Sequence, residues 1–275
     1  MAKKLGGEVI NADSMQVYKD LHILTARPYP EEMEGIAHHL YGHVDGGERY
    51  SVGHWLRDAE PIIIDILSRQ KVPIIVGGTG LYFKALTEGL AVIPNPSEAG
   101  QSYARMIYES QGTSGLRQEA FSCDPTATQR VLGDDPQRLL RIIAVAHGTE
   151  KILSEWQAKT RPVIPAGYWT GVKLLPDRAV LYERINARFE IMLREGAIAE
   201  VKNLLSRKLP KDSPIMRAIG VDLIDALIRG DIPKRAMLER GQQMTRRYAK
   251  RQYTWFNNQA NSEAWQKKYH NLRLH

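Results

Sequence analysis

An acidic side chain, Asp13, follows directly on a short predicted strand, Glu-Val-Ile-Asn at 8–11. Ligands of open α/β sheets bind at the carboxyl ends of the strands, so a carboxylate in this position is well placed to act as a general base or a metal ligand. The other interpretation is that Asp13 is the N-cap residue of the next helix. Position alone leaves both interpretations open.

A glycine-rich turn, Gly77-Gly78-Thr79-Gly80, follows a second apolar stretch, Val-Pro-Ile-Ile-Val at 72–76. A buried strand, a glycine-rich turn and a helix together form the βα unit of a parallel α/β sheet. Such a turn offers backbone N–H groups and a helix N-terminus to an anion, and Thr79 adds a hydroxyl. Glycines also permit tight packing of the strand on the helix, and the sequence does not separate these two uses.

The most basic stretch of the chain, Thr-Arg-Arg-Tyr-Ala-Lys-Arg-Gln at 245–252, lies in a predicted helix. On a helix Arg246 is a neighbour of Lys250, and Arg247 is a neighbour of Arg251, so the four cations form one stripe. This basic stripe suits the phosphates of a diphosphate or of an RNA backbone. A solvated helix face has the same pattern, and that interpretation also remains open.

Arg217 and the residues that could bind metals are weaker candidates. Arg217 lies in an apolar, glycine-ended stretch at 216–220, and because an unpaired arginine is costly to bury we expect an anion near it. The adjacent pair His38-His39 points in two directions in any regular structure, which does not favour a metal site. With Cys123 as the one cysteine, neither an intramolecular disulfide nor a cysteine-based zinc site is expected.

The scaffold that must position these residues is an α/β fold. Helical apolar spacing at 55–68 connects the two predicted strands, and two long helices are predicted at 181–192 and 234–256. After Pro-Asn-Pro at 94–96 the pattern turns helical with few strand signals, and a strand that continues the sheet is predicted at 171–175. The sequence therefore predicts a parallel sheet flanked by helices, with residues 1–94 and 171–275 as the core and 95–170 as an inserted helical domain.

Composition excludes several classes of protein. The chain has 275 residues, a formal net charge of +7 and a pI of about 9.4, which favours a polyanionic partner, nucleic acid before membrane. No apolar run approaches the roughly 18 residues that a membrane span needs, and the N-terminus lacks the apolar region of a signal peptide. We therefore predict a cytoplasmic protein without a membrane partner.

Seven segments occur in an order that resembles the tRNA dimethylallyltransferase family, and the resemblance covers nearly the whole chain. Each segment alone is a modest signal, whereas their order is specific. The segments are Asn-Ala-Asp-Ser-Met-Gln-Val-Tyr (11–18), Ala-His-His-Leu (37–40), Val-Gly-Gly-Thr-Gly-Leu-Tyr (76–82), Asp-Pro-Gln-Arg-Leu (135–139), Arg-Ile-Asn-Ala-Arg-Phe (184–189), Met-Arg-Ala-Ile-Gly (216–220) and Thr-Arg-Arg-Tyr-Ala-Lys-Arg-Gln-Tyr-Thr-Trp-Phe (245–256).

The resemblance implies a P-loop NTPase-like core with an inserted helical domain that contacts tRNA. The family transfers the dimethylallyl group of dimethylallyl diphosphate to N6 of the adenine at tRNA position 37, beside the anticodon, in tRNAs that read codons beginning with U. The implied product is N6-(dimethylallyl)adenosine and the implied cofactor is Mg²⁺. The resemblance also implies a monomer that binds the anticodon stem-loop and flips the target base out of its stack.

The resemblance implies roles for individual residues. Asp13 would take the proton from the attacking N6, and Thr79 and Arg217 would lie near the reacting base and the diphosphate. From the basic stripe, Lys250 and Arg251 would add further charge at the diphosphate. The residues expected to bind tRNA are Asp13, Ser14, Met15, Gln16, Thr79, Gln101, Gln137, Arg138, Leu139, Leu140, Arg141, Gln242, Gln243, Met244, Thr245, Arg246 and Arg247.

The sequence also departs from the family pattern. The family opens with a strand and a Gly-x-x-x-x-Gly-Lys-Ser/Thr loop that cradles the diphosphate, and this motif does not occur in the sequence. Lys-Lys-Leu-Gly at 3–6 is typical of a helix end, so the first strand and the P-loop are expected to be missing, through a truncated start or a decayed copy. Ala37 replaces a usual Pro, and Gln101 replaces a usual Arg that contacts tRNA.

Three alternative functions follow from these departures and from the fold. A prenyltransferase that acts on free adenine nucleotides would share the chemistry, but it would not need the helical insertion. An inactive remnant would bind tRNA in a salt-dependent way without turnover. A P-loop nucleotide kinase is least favoured, because the loop that defines that class is absent from the sequence.

Overall fold

In the computed structural model, residues 1–259 and 264–268 are described, and they form an α/β structure of two compact units. The larger unit comprises Met1–Ala85 and Ile164–His275 as far as it is described, and the helical unit comprises Leu86–Val163. The helical unit begins and ends earlier in the chain than the predicted insertion at 95–170. A hydrogen bond of 3.0 Å from the Val163 N–H to Leu86 O closes the unit at its first and last residues. The last predicted core residues, 269–275, lie outside the described part of the chain.

The larger unit contains a parallel sheet in the order β2-β1-β3, formed by β1 at Gly7–Asn11, β2 at His38–His39 and β3 at Val72–Val76. The strands predicted at 8–11 and 72–76 are therefore confirmed. Strand β3 is not buried as predicted, because β1 pairs with one of its edges and no other described strand pairs with the second edge. Val72 and Val76 at its ends are 41% and 47% exposed.

A second parallel sheet pairs β4, Gly171–Leu174, with β5, Trp265–Lys268. The prediction that residues 171–175 continue the first sheet was wrong for the described part of the chain. The reason is that β4 takes its hydrogen-bonding partner from the segment that follows the last helix, beginning with the Gly171 N–H, which donates to Ala264 O over 2.7 Å.

Helices flank these sheets and account for most of the chain. In the larger unit they are α1 (Ala2–Leu5), α2 (Val52–Ser68), α3 (Gly80–Glu88, whose last turn enters the helical unit), α8 (Arg178–Glu195), α9 (Ala197–Ser206), α10 (Val221–Ile228) and α11 (Lys234–Asn258), with a 3₁₀ helix at Pro214–Arg217. In the helical unit they are α4 (Glu98–Cys123), α5 (Pro125–Gln129), α6 (Pro136–Gly148) and α7 (Leu153–Ala158).

The main core of the larger unit lies among α8 to α11 and the loop that follows β1. Leu21, Val201 and Met237 are fully buried there, and Phe189 of α8 is nearly so. Gly241 permits the close approach of α8 and α11, because a Cβ at this position would overlap the Phe189 ring. This contact fixes the register of α11, which carries the predicted basic stripe.

The helical unit is held by the packing of α4 against α6. Leu116, Leu139 and Ile143 are fully buried between these helices. Helix α4 is interrupted at Gly112, whose φ of 64° and ψ of −160° are outside the helical region and suit glycine. Among the described helices of both units, none is long and apolar enough to cross a membrane.

Candidate active site

The backbone at the carboxyl end of β1 is fixed by hydrogen bonds from two side chains. The Trp55 indole Nε1–H donates to Asn11 O over 2.7 Å, and the ring stacks on Tyr82 with centroids 4.5 Å apart. The buried Asn11 amide donates to Leu40 O at 3.0 Å and to Asp13 O at 3.1 Å. The segment from 11 to 13 is therefore held rigidly, as a residue that must meet a substrate requires.

Asp13 follows this fixed segment and caps a turn rather than a helix. Its Oδ1 accepts the backbone N–H groups of Met15 at 2.8 Å and Gln16 at 3.2 Å. Its Oδ2 accepts no hydrogen bond and Asp13 forms no ion pair among residues 1–259 and 264–268. The N-cap interpretation was wrong in its element, because a turn and not a helix follows Asp13. Capping of this turn uses one carboxylate oxygen and leaves the other available to a substrate, so the functional interpretation stays a prediction.

Thr79 joins the end of β3 to the Asp13 segment. The Ser14 N–H donates to Thr79 Oγ1 over 3.0 Å, and the Thr79 hydroxyl lies 3.3 Å from Ser14 Oγ. The Thr79 N–H donates to Ala12 O over 3.1 Å, so this amide is not available to an anion. The structure therefore brings the predicted residues Asp13, Ser14 and Thr79 together at the carboxyl edge of the sheet.

The glycines of the turn after β3 serve close packing. A Cβ at Gly77 would overlap the Ala12 carbonyl, and one at Gly80 would overlap the ring of Trp255 on α11. Gly78 lies against Gln252, whose Nε2 donates to Gly78 O over 2.9 Å. All three glycines therefore permit close packing, against Ala12 and α11 rather than of β3 on the helix that follows it. Anion binding by this turn stays a prediction.

Aromatic side chains surround Asp13. Burial raises the pKa of Tyr41 to about 12, with the Asp13 charge as the second cause. The pKa values of Tyr82 and Tyr248 are raised by burial first, and the Asp13 charge adds to the shift. These hydroxyls therefore stay protonated at neutral pH and can only donate to an anion or accept from a neutral donor. The sequence analysis singled out none of the three as a site residue, although each lies in or beside a recognised segment.

Arg188 of α8 is a further residue that the sequence analysis missed. Its pKa is lowered by desolvation, and the negative charge of Asp13 acts in the opposite direction. An arginine within the field of the candidate base is a natural ligand for a substrate phosphate. The signal available in the sequence was its place in Arg-Ile-Asn-Ala-Arg-Phe at 184–189.

The basic stripe on α11 contains one residue that contacts α8 and others that are exposed to solvent. Arg246 donates to Asn186 Oδ1 over 2.6 Å, and Gln242 donates to Asn186 O over 3.2 Å, so both residues hold α11 against α8. Arg247 and Lys250 are exposed, and the Arg251 guanidinium lies over the Tyr248 ring at 5.4 Å. Gln243 and Met244 are also exposed, whereas Thr245 is half-buried and donates to Gly241 O.

Arg217 does not occupy the environment that the sequence predicted. The side chains of Ile215 and Ala218 are buried, and Arg217 on the same 3₁₀ helix is exposed. It forms no ion pair with another described residue. The premise that Arg217 is buried was therefore wrong, because Ile215 and Ala218 face the core and Arg217 faces solvent. The expectation of an anion near Arg217 stays a prediction.

The remaining tRNA candidates of the larger unit have structural contacts as well. Met15 packs against the main core. The Gln16 amide donates to Thr25 O at 3.0 Å and to Ala26 O at 2.9 Å, which closes the loop after β1. Both residues are half-buried, so their tRNA contacts stay a prediction, and the Gln16 amide N–H groups are already used within the protein.

The candidates in the helical unit separate by helix face. Gln137, Arg138 and Arg141 are exposed on α6. Leu139 is fully buried and Leu140 packs against the same cluster, so the prediction that Leu139 contacts tRNA was wrong: its side chain forms the core between α4 and α6. Gln101 is exposed on α4, and its amide donates to Pro96 O over 2.8 Å.

The sequence matches the family model described as IPP transferase over residues 16–259. This match covers most of the chain, including the turn after β3 and the whole of α11. The chain belongs to the IPP transferase family. Among its relatives, a tRNA dimethylallyltransferase of Rhizobium etli is 46% identical over 97% of this chain and 90% of the relative. The tRNA dimethylallyltransferase of Hyphomonas neptunium is 47% identical over 94% of this chain and 82% of the relative.

Solved structures of IPP transferases support the fold. The full-length tRNA isopentenylpyrophosphate transferase of Bacillus halodurans has a TM-score of 0.67 and 32% identity, and the match covers 97% of this chain and 83% of that chain. A eukaryotic dimethylallyltransferase acting on tRNA has a TM-score of 0.77 and 30% identity, with 93% of this chain and 64% of that chain covered. The fold predicted from the sequence, an α/β core of this family, is confirmed.

Proposed function

We propose that this chain transfers the dimethylallyl group of dimethylallyl diphosphate to N6 of the adenine at tRNA position 37, beside the anticodon, in tRNAs that read codons beginning with U. The observation that carries the proposal is the carboxyl end of β1, where Asp13 keeps one carboxylate oxygen free on a rigid segment next to Thr79. Membership of the IPP transferase family and the names of the relatives support the reaction and its two substrates.

Asp13 is the general base in this proposal. The exocyclic N6 of adenine is a poor nucleophile because its lone pair is delocalised into the ring. As the bond from N6 to the dimethylallyl carbon forms, the bond from that carbon to the diphosphate oxygen breaks, and the N6 proton passes to Asp13 Oδ2. The two backbone N–H groups that donate to Oδ1 hold the carboxylate in a fixed orientation.

The leaving diphosphate needs positive charge as it departs. Arg217, Lys250 and Arg251 are the proposed ligands, and Arg188 joins them because it lies within the field of Asp13. The exposure of Arg217 and Lys250 supports this role, since neither group is committed to a protein partner among the described residues. The Thr79 hydroxyl is the proposed group that orients the substrate beside the base, and its hydrogen bond from the Ser14 N–H supports this role.

Mg²⁺ is the proposed cofactor, and the donor atoms at the site suit it. This ion takes oxygen ligands and is usually held by few protein groups together with substrate phosphates and water. The hydroxyl oxygens of Ser14 and Thr79, 3.3 Å apart, form an all-oxygen set that would hold it beside the diphosphate. When bound, the ion supplies neutralisation of the charge on the leaving group.

We expect each unit to supply its own contacts to the anticodon stem-loop. In the helical unit the exposed candidates are Gln101, Gln137, Arg138 and Arg141, and in the larger unit they are Gln243, Met244 and Arg247. The net charge of +7 supports binding to RNA, and the target adenine must leave its stack to reach Asp13. We further propose that the enzyme acts as a monomer in the cytoplasm.

A transfer assay read by mass spectrometry tests the proposal. The full chain is incubated with Mg²⁺, dimethylallyl diphosphate and either an anticodon stem-loop carrying the target adenine or AMP. The expected result is a gain of one dimethylallyl group on the stem-loop and none on AMP. A gain on AMP alone would identify a nucleotide prenyltransferase instead, and stem-loop binding without transfer would identify the inactive remnant.

A further inference from the structure

Three side chains with metal-binding atoms meet in the helical unit, apart from the residues assigned above. Glu119 and Cys123 lie one turn apart on α4, and His147 lies in the last turn of α6. Cys123 Sγ is 3.4 Å from His147 Nε2 and 3.6 Å from Glu119 Oε1, and the nitrogen and the carboxylate oxygen are 3.3 Å apart. The three atoms therefore form a nearly equilateral triangle.

The packing of α4 on α6 fixes this triangle. Leu116 and Ala120 of α4 and Ile143 of α6 are buried one turn away from the three ligand atoms. Near the His147 end, Gly100 and Gly148 bring the two helices into close contact, since a Cβ at Gly100 would lie 2.7 Å from the Gly148 backbone. The backbone positions that carry Glu119, Cys123 and His147 are therefore set by the core of the unit.

A cysteine, a histidine and a carboxylate can form either a nucleophile relay or a metal site, and the geometry distinguishes the two. In a nucleophile relay the thiol and the carboxylate bond to opposite nitrogens of the imidazole ring. Here both Cys123 Sγ and Glu119 Oε1 approach the same nitrogen, His147 Nε2. Three donor atoms that converge in this way surround a common point, which is the arrangement of a metal site.

The edges of the triangle match a zinc ion. Zinc bonds of about 2.3 Å to sulfur and about 2.0–2.1 Å to nitrogen and oxygen place tetrahedral ligand atoms about 3.3–3.6 Å apart. The observed separations of 3.3, 3.4 and 3.6 Å lie within this range. A mixed sulfur, nitrogen and oxygen set favours zinc over Mg²⁺ or Ca²⁺, which take oxygen ligands.

Tyr103 supports the same arrangement from outside the triangle. Its hydroxyl donates to Glu119 Oε1 over 3.0 Å, and its ring lies against His147 with centroids 4.3 Å apart. Such outer contacts orient the ligands of metal sites. The side chains of Glu119 and His147 are 27% and 41% exposed, so an ion and a water molecule can reach them.

We propose that Glu119, Cys123 and His147 bind a zinc ion that joins α4 to α6, with water as the fourth ligand. On binding, the Cys123 thiol gives its proton to solvent and the thiolate bonds to the ion. This proposal contradicts the sequence-based expectation that one cysteine excludes a cysteine-based zinc site, because a single thiolate can share the ion with a histidine and a carboxylate. The inference is independent of the transfer reaction, so its test uses binding and not activity.

Cobalt and zinc titrations of the full, chelator-treated chain test the site. Co²⁺ gives a sulfur-to-metal charge-transfer absorption only when a thiolate binds it, and Zn²⁺ displaces it. We expect one equivalent of Co²⁺ with this absorption, displacement by one equivalent of Zn²⁺, and a thermal midpoint raised by several degrees in Zn²⁺. Cys123→Ser should abolish the absorption, and His147→Ala should weaken Zn²⁺ binding at least tenfold.

The matched control is His43→Ala, which removes a histidine paired with a carboxylate, Asp58, at 3.5 Å in the larger unit but with no cysteine. It should leave the titration unchanged. A second measurement needs no variant: Zn²⁺ should protect Cys123 of the wild-type chain from alkylation by iodoacetamide. Binding of Co²⁺ without thiolate absorption, or alkylation at the same rate with and without Zn²⁺, would overturn the proposal.

Discussion

Strand β1 has a carboxylate near each of its ends, and the surroundings of the two differ in almost every respect. At the amino end, Glu8 is 5% exposed and its carboxylate binds three side chains: the cations Arg69, through both terminal nitrogens, and Lys71, at 2.8 Å, and the imidazole of His39, at 2.8 Å. Beyond the carboxyl end, Asp13 is held by two backbone N–H groups and keeps one oxygen free.

If Asp13 is the general base, as we propose, the same functional group is structural at one end of β1 and reactive at the other. Hydrogen bonds from Arg69, Lys71 and His39 hold the pKa of Glu8 well below its usual range, so this group is unsuited to accept a proton at neutral pH. Asp13 has tyrosines around it instead of bound cations, and its free oxygen is available to accept a proton from a substrate. Full compensation of charge stabilises the fold, and incomplete compensation leaves a group for chemistry.

The largest expected effect is at the reactive end. Asp13→Asn keeps the size of the side chain and an oxygen for the two backbone N–H groups, but it removes the proton acceptor. We expect the single-turnover transfer rate to fall by about 10²–10⁴ while the free energy of unfolding changes by less than about 1 kcal/mol. Rapid-quench mass spectrometry and urea unfolding measure the two quantities. A variant that keeps the wild-type rate would remove Asp13 from the mechanism.

The second-largest effect is expected at the amino end of β1, and it concerns the free energy of unfolding rather than the transfer rate. Glu8→Gln leaves Arg69 and Lys71 without their shared counter-ion beside a buried site, so we expect a loss of about 2–3 kcal/mol in the free energy of unfolding. The value is below that of a fully buried pair because both cations reach solvent. Once folded, the variant should transfer at a rate within about threefold of wild type, since the chemistry lies at the other end of β1.

The turn after β3, which contacts the segment beyond the carboxyl end of β1 through Thr79, is held by packing rather than by ion pairs, and Gly80→Ala tests this. The new Cβ would overlap the Trp255 ring, so we expect a loss of about 1–2 kcal/mol in the free energy of unfolding. Because packing rather than charge is affected, the loss should be the same in 50 mM and 500 mM salt, whereas that of Glu8→Gln should shrink in salt. Trp255→Leu should restore part of the stability in combination with Gly80→Ala, and an additive double variant would show that the two do not touch.

The sequence predicted the parts of this site that depend on local pattern and on the rules of parallel sheets. The neighbouring strands at 8–11 and 72–76 were predicted from their apolar residues, and the juxtaposition of Asp13 with Thr79 follows because carboxyl ends of adjacent parallel strands share one edge. The helix that carries the basic stripe was predicted within two residues of its end at Asn258.

The sequence did not predict contacts between distant segments. Three residues within the field of Asp13 lie in separate segments of the chain: Tyr41, Arg188 and Tyr248. No spacing in the sequence indicates that the three lie near Asp13. Leu139 is a case in which local pattern was available but was not used. It was predicted to bind tRNA because it lies in a family segment, although its spacing with Ile142 and Ile143 is typical of a buried helix face. Local periodicity should have corrected that assignment.

The smallest expected effect is the pH dependence that distinguishes Glu8 from an ordinary surface carboxylate. Its pKa is lowered in the folded protein, whereas in the unfolded chain it is about 4.3. A carboxyl of this kind contributes stability that is present above the unfolded pKa and is lost as the pH falls through the folded pKa. The free-energy difference between wild type and Glu8→Gln should therefore be constant from pH 7 to about pH 5 and shrink steadily below about pH 4.

Urea unfolding at a series of pH values measures this difference, and Glu34→Gln is the control. Glu34 also forms an ion pair, with Lys3 at 2.5 Å, but both side chains are about 60% exposed, so its removal should change the stability little at any pH. A difference for Glu8→Gln that stays constant down to pH 3 would mean that the carboxylate charge contributes no stability. Glu8 would then differ from Asp13 in burial alone, and compensation by Arg69, Lys71 and His39 could not explain why the amino end of β1 is structural.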